Sequence, residues 1–388
     1  MTFDKIGPRF GGHTQKFDGM PERTGVTSAD GIPMWVADMD FDAPDCVRDA
    51  LRADIDRGYL GYYADTSTNT AAICRWLRER HGWEAQPEWI GFTHGVIAGF
   101  GMALDAFSEP GDNIILFTPV YHAFFGKAKA MERGVLQSPM VLRNGRYEMD
   151  LETLASQLTG KEKVLVLCSP HNPGGRLWSA EEIKAVAAFC EAHDLILLSD
   201  EIHMDLTFPG VRHLPTAVAA PEALPRLVVI TAASKSFNLA GLETGYWVVP
   251  DDDLRQRFDK VAKNRGGSPN RLGMIAMEAA LTQGADWLDA VRDYIAANYA
   301  LFTDRIRRLP GIEVMEMQST YLAWVDFTDT GLSPEEIEAR LRDRAGIAAS
   351  PGPAFGQGGE HCMRFNLALP KAKLEEAILR MERVFSNS

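Results

Sequence analysis

Leu227-Val228-Val229-Ile230 is an unbroken apolar run, and shortly after it comes Ser234-Lys235-Ser236-Phe237-Asn238-Leu239-Ala240-Gly241-Leu242. The run predicts a buried strand, which places Lys235 just past a strand end among small and apolar neighbours. Burial there disfavours the ammonium form, so the pKa falls and a free amine able to form a Schiff base becomes available. A lone lysine is more often a solvated surface group, and two further stretches give this one its weight. Ser169-Pro170-His171-Asn172-Pro173-Gly174-Gly175-Arg176 follows the apolar run Val164-Leu165-Val166-Leu167, and Ser199-Asp200-Glu201-Ile202-His203 follows Leu195-Ile196-Leu197-Leu198. Three polar signatures each cap a predicted strand, and in an open α/β sheet ligands gather at the carboxyl ends of the strands.

Working outward, Ser179-Ala180-Glu181-Glu182 reads as a capping box for a helix ending near His193. Alternation of apolar runs with such helices predicts parallel strands joined by helical crossovers. Upstream, Glu88–Thr93 reads as a strand, and Gly95-Val96-Ile97 opens a helix to about Phe107. Gly95 at that turn lets backbone N–H groups approach an anion at the positive helix end, although a plain strand-to-helix turn needs a glycine too. Asn113–Pro119 is a further buried strand leading into Val120-Tyr121-His122-Ala123-Phe124. Asp42-Ala43-Pro44 reads as a helix start with Asp42 at the N-cap, running to about Arg57 before Gly58. Before it, Met34-Trp35-Val36-Ala37-Asp38-Met39-Asp40-Phe41 is apolar for a loop, and composition alone allows a short core strand. After Gly245–Pro250 the chain turns helical, with candidates near Asp251–Asn264, Pro269–Thr282 and Ala285–Leu309. Strands at Thr320–Phe327 and Met363–Leu367, with a helix capped by Ser333, close a smaller α+β unit that the N-terminal arm is expected to join. The expected division is a large domain over 45–284 and a small domain over 1–44 and 285–388.

A chain of 388 residues is ample for such a core, and 46% apolar with 24% charged content is that of a globular enzyme-sized protein. The net charge of −13 argues against nucleic acid and anionic membrane as partners, since both require clustered Lys and Arg. The opening Met1-Thr2-Phe3-Asp4-Lys5-Ile6-Gly7-Pro8-Arg9 has no apolar leader region, and no apolar run reaches the roughly 18 residues of a membrane span. Cys46, Cys74, Cys168, Cys190 and Cys362 are scattered, with neither disulfide nor metal spacing. A reducing cytoplasm and no metal are the expectation.

The order Asn-Pro-Gly, Asp-Glu and Ser-Lys, with Arg364-Phe365-Asn366-Leu367-Ala368 downstream, resembles the pyridoxal-phosphate enzymes of fold type I. Within that superfamily W-V-A-D-M-D-F from Trp35, S-P-H-N-P-G-G-R, S-D-E-I-H and S-K-S-F-N-L-A-G-L are similar to the MalY/PatB group of cystathionine β-lyase-like carbon–sulfur lyases. The resemblance implies an α/β fold with a mostly parallel central sheet flanked by helices, a smaller α+β domain, and pyridoxal 5'-phosphate as cofactor. It implies that Lys235 holds the cofactor and then serves as base, that Asp200 pairs with the ring nitrogen, that Asn172 donates to the phenolic oxygen and that Tyr121 stacks on the ring. Gly95, Val96, Ile97 and Ser234 would receive the phosphate, with Tyr62 reaching it from the second subunit of a homodimer. Arg364 would clamp the α-carboxylate of an amino-acid substrate, and Trp35 and Ala37 would line the substrate side of a wall or lid. His203 stands where many relatives have a tyrosine and Glu243 where many have a phosphate-binding arginine, so the roles of both stay open. Two alternatives stay open: an amino-group transfer to a keto acid, for which the same lysine, aspartate and arginine would serve, and a cofactor-binding regulatory protein whose role is to contact a partner.

Overall fold

A computed structural model describes residues 3–5, 9–143, 145–265 and 270–386. Its centre is a seven-stranded sheet made of β1 (Ile90–Thr93), β2 (Asn113–Thr118), β3 (Gly134–Pro139), β4 (Glu162–Cys168), β5 (Ile196–Asp200), β6 (Leu227–Thr231) and β7 (Gly245–Val248). The spatial order is β1-β7-β6-β5-β4-β2-β3, parallel throughout except for β7, which runs antiparallel to both neighbours. The apolar runs form central strands because helices cover both faces, so nearly every position on them is buried. Leu227 to Ile230 are each at most 1% exposed.

The crossovers follow the local signals. Ser179 and Glu182 form the reciprocal capping box, with the Glu182 N–H donating to Ser179 Oγ at 3.2 Å and the Ser179 N–H to Glu182 Oε2 at 2.9 Å. The helix so started, Ala180–Ala192, returns the chain from β4 to β5. Gly95 at φ 79° ends the turn after β1 and begins the helix Val96–Phe107, which packs on the sheet through Val96, Phe100, Ala103 and Leu104.

A second sheet, antiparallel, is built from β8 (Glu313–Val314), β9 (Leu322–Asp326), β10 (Ser350–Pro351) and β11 (Cys362–Asn366) in the order β8-β9-β11-β10. Its core gathers Phe302, Phe327, Phe365, Leu374 and Phe385. The N-terminal arm reaches this side, where Ile32–Pro33 pairs in parallel with Ile347–Ala348. The helix Ala285–Ile306 joins the two cores, giving Trp287, Leu288 and Val291 to the larger and Phe302 and Ile306 to the smaller. Among the described residues no helix is long and apolar enough to cross a membrane.

The structure corrects four local expectations. Asp42 does not cap a helix: the helix is Asp45–Asp56 with Pro44 at its N-cap, and Arg9 and Lys5 of the arm hold the Asp42 carboxylate at 3.2 and 3.4 Å. Glu88 and Trp89 belong to a short 3₁₀ turn, Pro87–Trp89, ahead of β1. Thr320 takes a left-handed φ of 70°, so β9 starts only at Leu322 and leaves Tyr321 outside it. The helix expected from Pro269 runs Arg271–Gln283 with Asn270 as its cap, Pro269 lying outside the described residues.

Candidate active site

The carboxyl ends of β4, β5 and β6 carry the three polar signatures, and the ladder places them side by side. Leu167 pairs with Ser199 and Cys168 with Asp200 across β4 and β5, while Asp200 pairs with Ile230 across β5 and β6. Beyond β4 the turn is shaped by His171. Its Nδ1 accepts from the Gly174 N–H at 3.2 Å, so Nε2 carries the proton and donates to the Pro119 carbonyl at 3.0 Å. Burial holds this imidazole neutral, its pKa pushed down to about 3. Asn172 is thereby fixed, 4% exposed, with Oδ1 accepting from Arg364 Nη1 at 3.1 Å.

Asp200 and its neighbour Glu201 are both buried, and they differ in what they meet. Glu201 is satisfied by His213 at 3.0 Å and by the Thr216 N–H at 2.9 Å. Asp200 accepts from the Ile202 N–H at 3.1 Å and has no ion-pair partner among the described residues. Burial, aided by the Glu201 charge and opposed by the Ile202 N–H and Lys235, raises its pKa to about 7. A buried carboxylate without a cation is costly, so this one is suited to a ligand that brings a protonated nitrogen. Lys235, half-buried, donates from Nζ to the Ala37 carbonyl at 2.6 Å. Burial lowers its pKa to about 8, with Asp38 and Asp200 opposing and Arg364 assisting. The amine is therefore partly free near neutrality.

The opposite wall is the segment Trp35–Phe41, which is neither a core strand nor a regular turn. Backbone carbonyls need donors wherever water is excluded, and side chains supply them here at each position in succession. Trp35 O accepts from Arg364 Nη2 at 2.9 Å and from Ser350 Oγ at 3.0 Å. Val36 O accepts from Asn366 at 2.7 Å, and Ala37 O from Lys235 and from the Tyr321 hydroxyl at 2.9 Å. Asp38 O accepts from Asn366 at 2.5 Å and Lys16 at 3.1 Å, and Asp40 O from Arg9 at 2.7 Å. Met39 O and Phe41 O both accept from the Asn238 amide at 2.9 Å. Lys16 is itself buried and ion-paired with Asp40 at 2.6 Å and Asp38 at 3.4 Å.

Arg364 rises from β11 beneath this wall, 2% exposed. No carboxylate pairs with it among the described residues; it donates to Asn172, Trp35 and Ser350 and lies 4.9 Å over the Phe355 ring. Its Nε is buried without a hydrogen-bond partner among the described residues. Burial lowers its pKa to about 10, still a full cation near neutrality, with Tyr121 and Tyr321 close enough to oppose the shift. Tyr121 follows β2 and meets Phe124 edge-on at 5.6 Å. His203 packs edge-on against Tyr321 at 6.2 Å, and burial beside Lys235 and Arg364 drives its pKa down to about 3, so it is neutral. Its Nδ1 has no hydrogen-bond partner among the described residues.

Lys235, Asp200, Asn172, Arg364, Trp35, Ala37, Tyr121 and His203 are thus linked pairwise by these hydrogen bonds and charge interactions. The turn at Gly95 is open, with nothing within 4 Å of where a Cβ would stand, and it begins a twelve-residue helix. Val96 is buried in an apolar cluster and Ile97 packs against it. Ser234, half-buried, accepts the Leu239 N–H on its carbonyl. Tyr62 is apart, 92% exposed. Glu243 is exposed in a left-handed conformation, φ 42°. Sequence reasoning missed Tyr321, Asn366, Asn238 and Lys16. Asn366 and Asn238 stood inside quoted motifs without an assigned partner, and Tyr321 carried only the signature of a strand aromatic.

Comparison with known proteins follows this geometry. Residues 29–381 match the family described as aminotransferase class I and II. The chain is 37% identical to cystathionine beta-lyase PatB of Bacillus subtilis over the full length of both chains. It is 30% identical to protein MalY of Escherichia coli over 97% of each. Cystalysin from Treponema denticola, solved with a pyridoxal 5'-phosphate cofactor, superposes with a TM-score of 0.95 at 31% identity, over 100% of this chain and 99% of that one.

Proposed function

The chain belongs to the class I and II aminotransferase family, and within it we propose that it is a pyridoxal-phosphate-dependent carbon–sulfur β-lyase acting on thioether amino acids of the cystathionine type. The observation that carries the cofactor is Asp200, a buried carboxylate with no cation of its own, beside a lysine whose amine is partly free. The full-length likeness to cystathionine β-lyases favours elimination over amino-group transfer.

Lys235 would hold the cofactor, Asp200 its ring nitrogen, Asn172 its phenolic oxygen and Tyr121 its ring face, with the N–H groups after Gly95 and Ser234 receiving the phosphate. Pyridoxal phosphate, when bound, supplies an electron sink for negative charge at the substrate's Cα. Arg364 binds and orients the α-carboxylate by a two-pronged charged hydrogen bond. Lys235, released as a free amine, takes the proton from Cα. His203 stays neutral, packed on Tyr321 and near the amine's charge. The Cβ–S bond breaks, the thiol leaves, and water converts the three-carbon remainder to pyruvate and ammonia. The Trp35–Phe41 wall covers the reacting atoms and keeps Ala37 O within reach of the lysine.

A homodimer is part of this reading. Ile55, Tyr59, Leu60 and Tyr62 are large apolar side chains exposed close together in sequence, 54%, 71%, 66% and 92% respectively, which supports a subunit contact that brings Tyr62 to the site of a second copy. Five free cysteines support a reducing compartment, the cytoplasm.

The test is purified, cofactor-loaded protein given L-cystathionine without any keto acid, with pyruvate followed by a coupled dehydrogenase. Steady pyruvate release is the expected result. Turnover that appears only after a keto acid is added overturns the lyase reading in favour of an aminotransferase.

A further inference from the structure

Of the two carboxylates in Ser199-Asp200-Glu201-Ile202-His203, the proposed chemistry uses only Asp200. Glu201 is 0% exposed, and its backbone is pinned to β6, its N–H donating to Ile230 O at 3.0 Å and its carbonyl accepting from Thr231 Oγ1 at 3.1 Å. The side chain is as fully engaged: Oε1 accepts from Ser199 Oγ at 3.0 Å and from the Thr216 N–H at 2.9 Å, and Oε2 from His213 Nε2 at 3.0 Å. Burial opposes the charge, but the His213 and Thr216 bonds outweigh it and hold the carboxyl below its ordinary pKa. A glutamine would meet the same three partners at lower cost, its oxygen facing Ser199 and Thr216 and its amide facing an imidazole in the other tautomer, with no charge taken out of water. Packing alone therefore requires no charge here. What the charge reaches is Asp200, the preceding residue, whose hold on a proton it strengthens against the opposing Lys235. The other titratable groups around the two carboxylates are Cys168 and Tyr121, which feel Asp200, and Tyr246, which feels Glu201; burial pushes all three up and keeps them neutral.

We infer that Glu201 is a positioning residue acting through Asp200, its buried charge holding the proton that Asp200 shares with the cofactor's ring nitrogen. This rests on the cofactor reading above and holds for elimination and amino-group transfer alike. Cofactor-free protein is titrated, between about pH 5 and 9, with 4-deoxypyridoxine 5'-phosphate, which carries the ring and the phosphate but no aldehyde for Lys235, and binding is followed by the ring's fluorescence. Ionised Asp200 pairs with the protonated ring, so affinity climbs with pH through about 7 and then levels off. Glu201→Gln keeps the shape and removes the charge, and the break moves down by about one pH unit, a roughly tenfold weaker hold on the proton. Glu201→Asp keeps the charge and returns the break toward its original place. His213→Gln leaves the carboxylate charged with an amide N–H facing it, so the break does not fall. Asp200→Asn abolishes the break. A break that stays still in Glu201→Gln while Asp200→Asn abolishes it overturns the inference alone. A break that survives Asp200→Asn, or no uptake of the ring compound at any pH, overturns the cofactor reading and the inference with it. If Glu201→Gln does not fold, His213→Gln decides: a falling break makes the network's packing the cause and overturns the inference, and a break that holds or rises upholds it.

Discussion

Asn172, Asp200 and Lys235 are carried by the ends of parallel strands, whereas Trp35 to Phe41, facing them, are carried by other residues' side chains. On the first side the backbone ladder repeats the same constraint across β4, β5 and β6, and the motifs follow from neighbouring strand ends. On the second side each carbonyl depends on one or two named donors, among them Asn366, Asn238, Lys16 and Arg364. Substitution should therefore remove chemistry without harming the fold on the strand side, and loosen the fold together with the chemistry on the wall side.

The largest expected effect breaks the strand side alone. Lys235→Ala removes both the cofactor's attachment and the base, and turnover falls by at least about 10³-fold. The visible absorbance of the bound cofactor is lost with it, while the cofactor-free protein loses no more than about 1 kcal/mol in urea unfolding, that of one donor to Ala37 O. Residual activity near the original level would remove Lys235 from the chemistry, and a collapse of stability would remove the contrast drawn here. Next comes Asn366→Leu. It leaves Val36 O without its donor and strips one of the two donors from Asp38 O, so a destabilisation of about 2–3 kcal/mol is expected, with activity falling in step. Unchanged urea unfolding of that variant would show that the wall does not lean on its side-chain donors.

The same contrast explains what was legible in the chain. The strand side was readable because an apolar run of four residues and the polar motif after it lie together, and strand-end geometry follows from fold class alone. The wall was not, because its partners are distant: Asn238 serves Met39 from 199 positions away and Asn366 serves Val36 from 330. Both amides were inside motifs whose other residues had assigned roles, yet nothing local marks an amide as a brace for a far segment. Asp42 was misread for a related reason, its local helix-capping pattern being overridden by Arg9 and Lys5. Tyr321 was hidden by its neighbours, since the left-handed turn at Thr320 that frees it from the strand leaves no glycine or asparagine as a signal.

Tyr321→Phe sharpens the comparison with a smaller effect. It removes one of the two donors to Ala37 O and leaves the ring in place, so about 1 kcal/mol of stability is expected to go. Lys235 then has the carbonyl to itself, and turnover changes only a few-fold. A loss as large as that of Lys235→Ala would make the hydroxyl part of the chemistry and not only of the wall.

The smallest effect is electrostatic and joins the two sides. The wall's Asp38 carboxylate raises the Lys235 pKa, while burial and Arg364 lower it to about 8. Only the free amine can attack the cofactor's aldehyde, so the rate at which cofactor-free protein captures pyridoxal phosphate should climb with pH up to about 8 and then level off. Asp38→Asn keeps the shape and removes the charge. The ammonium form loses a favourable neighbour, so the amine is freed at lower pH and the break in the profile moves down. Arg364→Gln removes a repelling cation and moves the break up. Stopped-flow capture rates across pH for the three proteins give both directions. If the break stayed still in Asp38→Asn, the wall would position the lysine without tuning it, and the two sides of the site would be coupled through the hydrogen bond to Ala37 O alone.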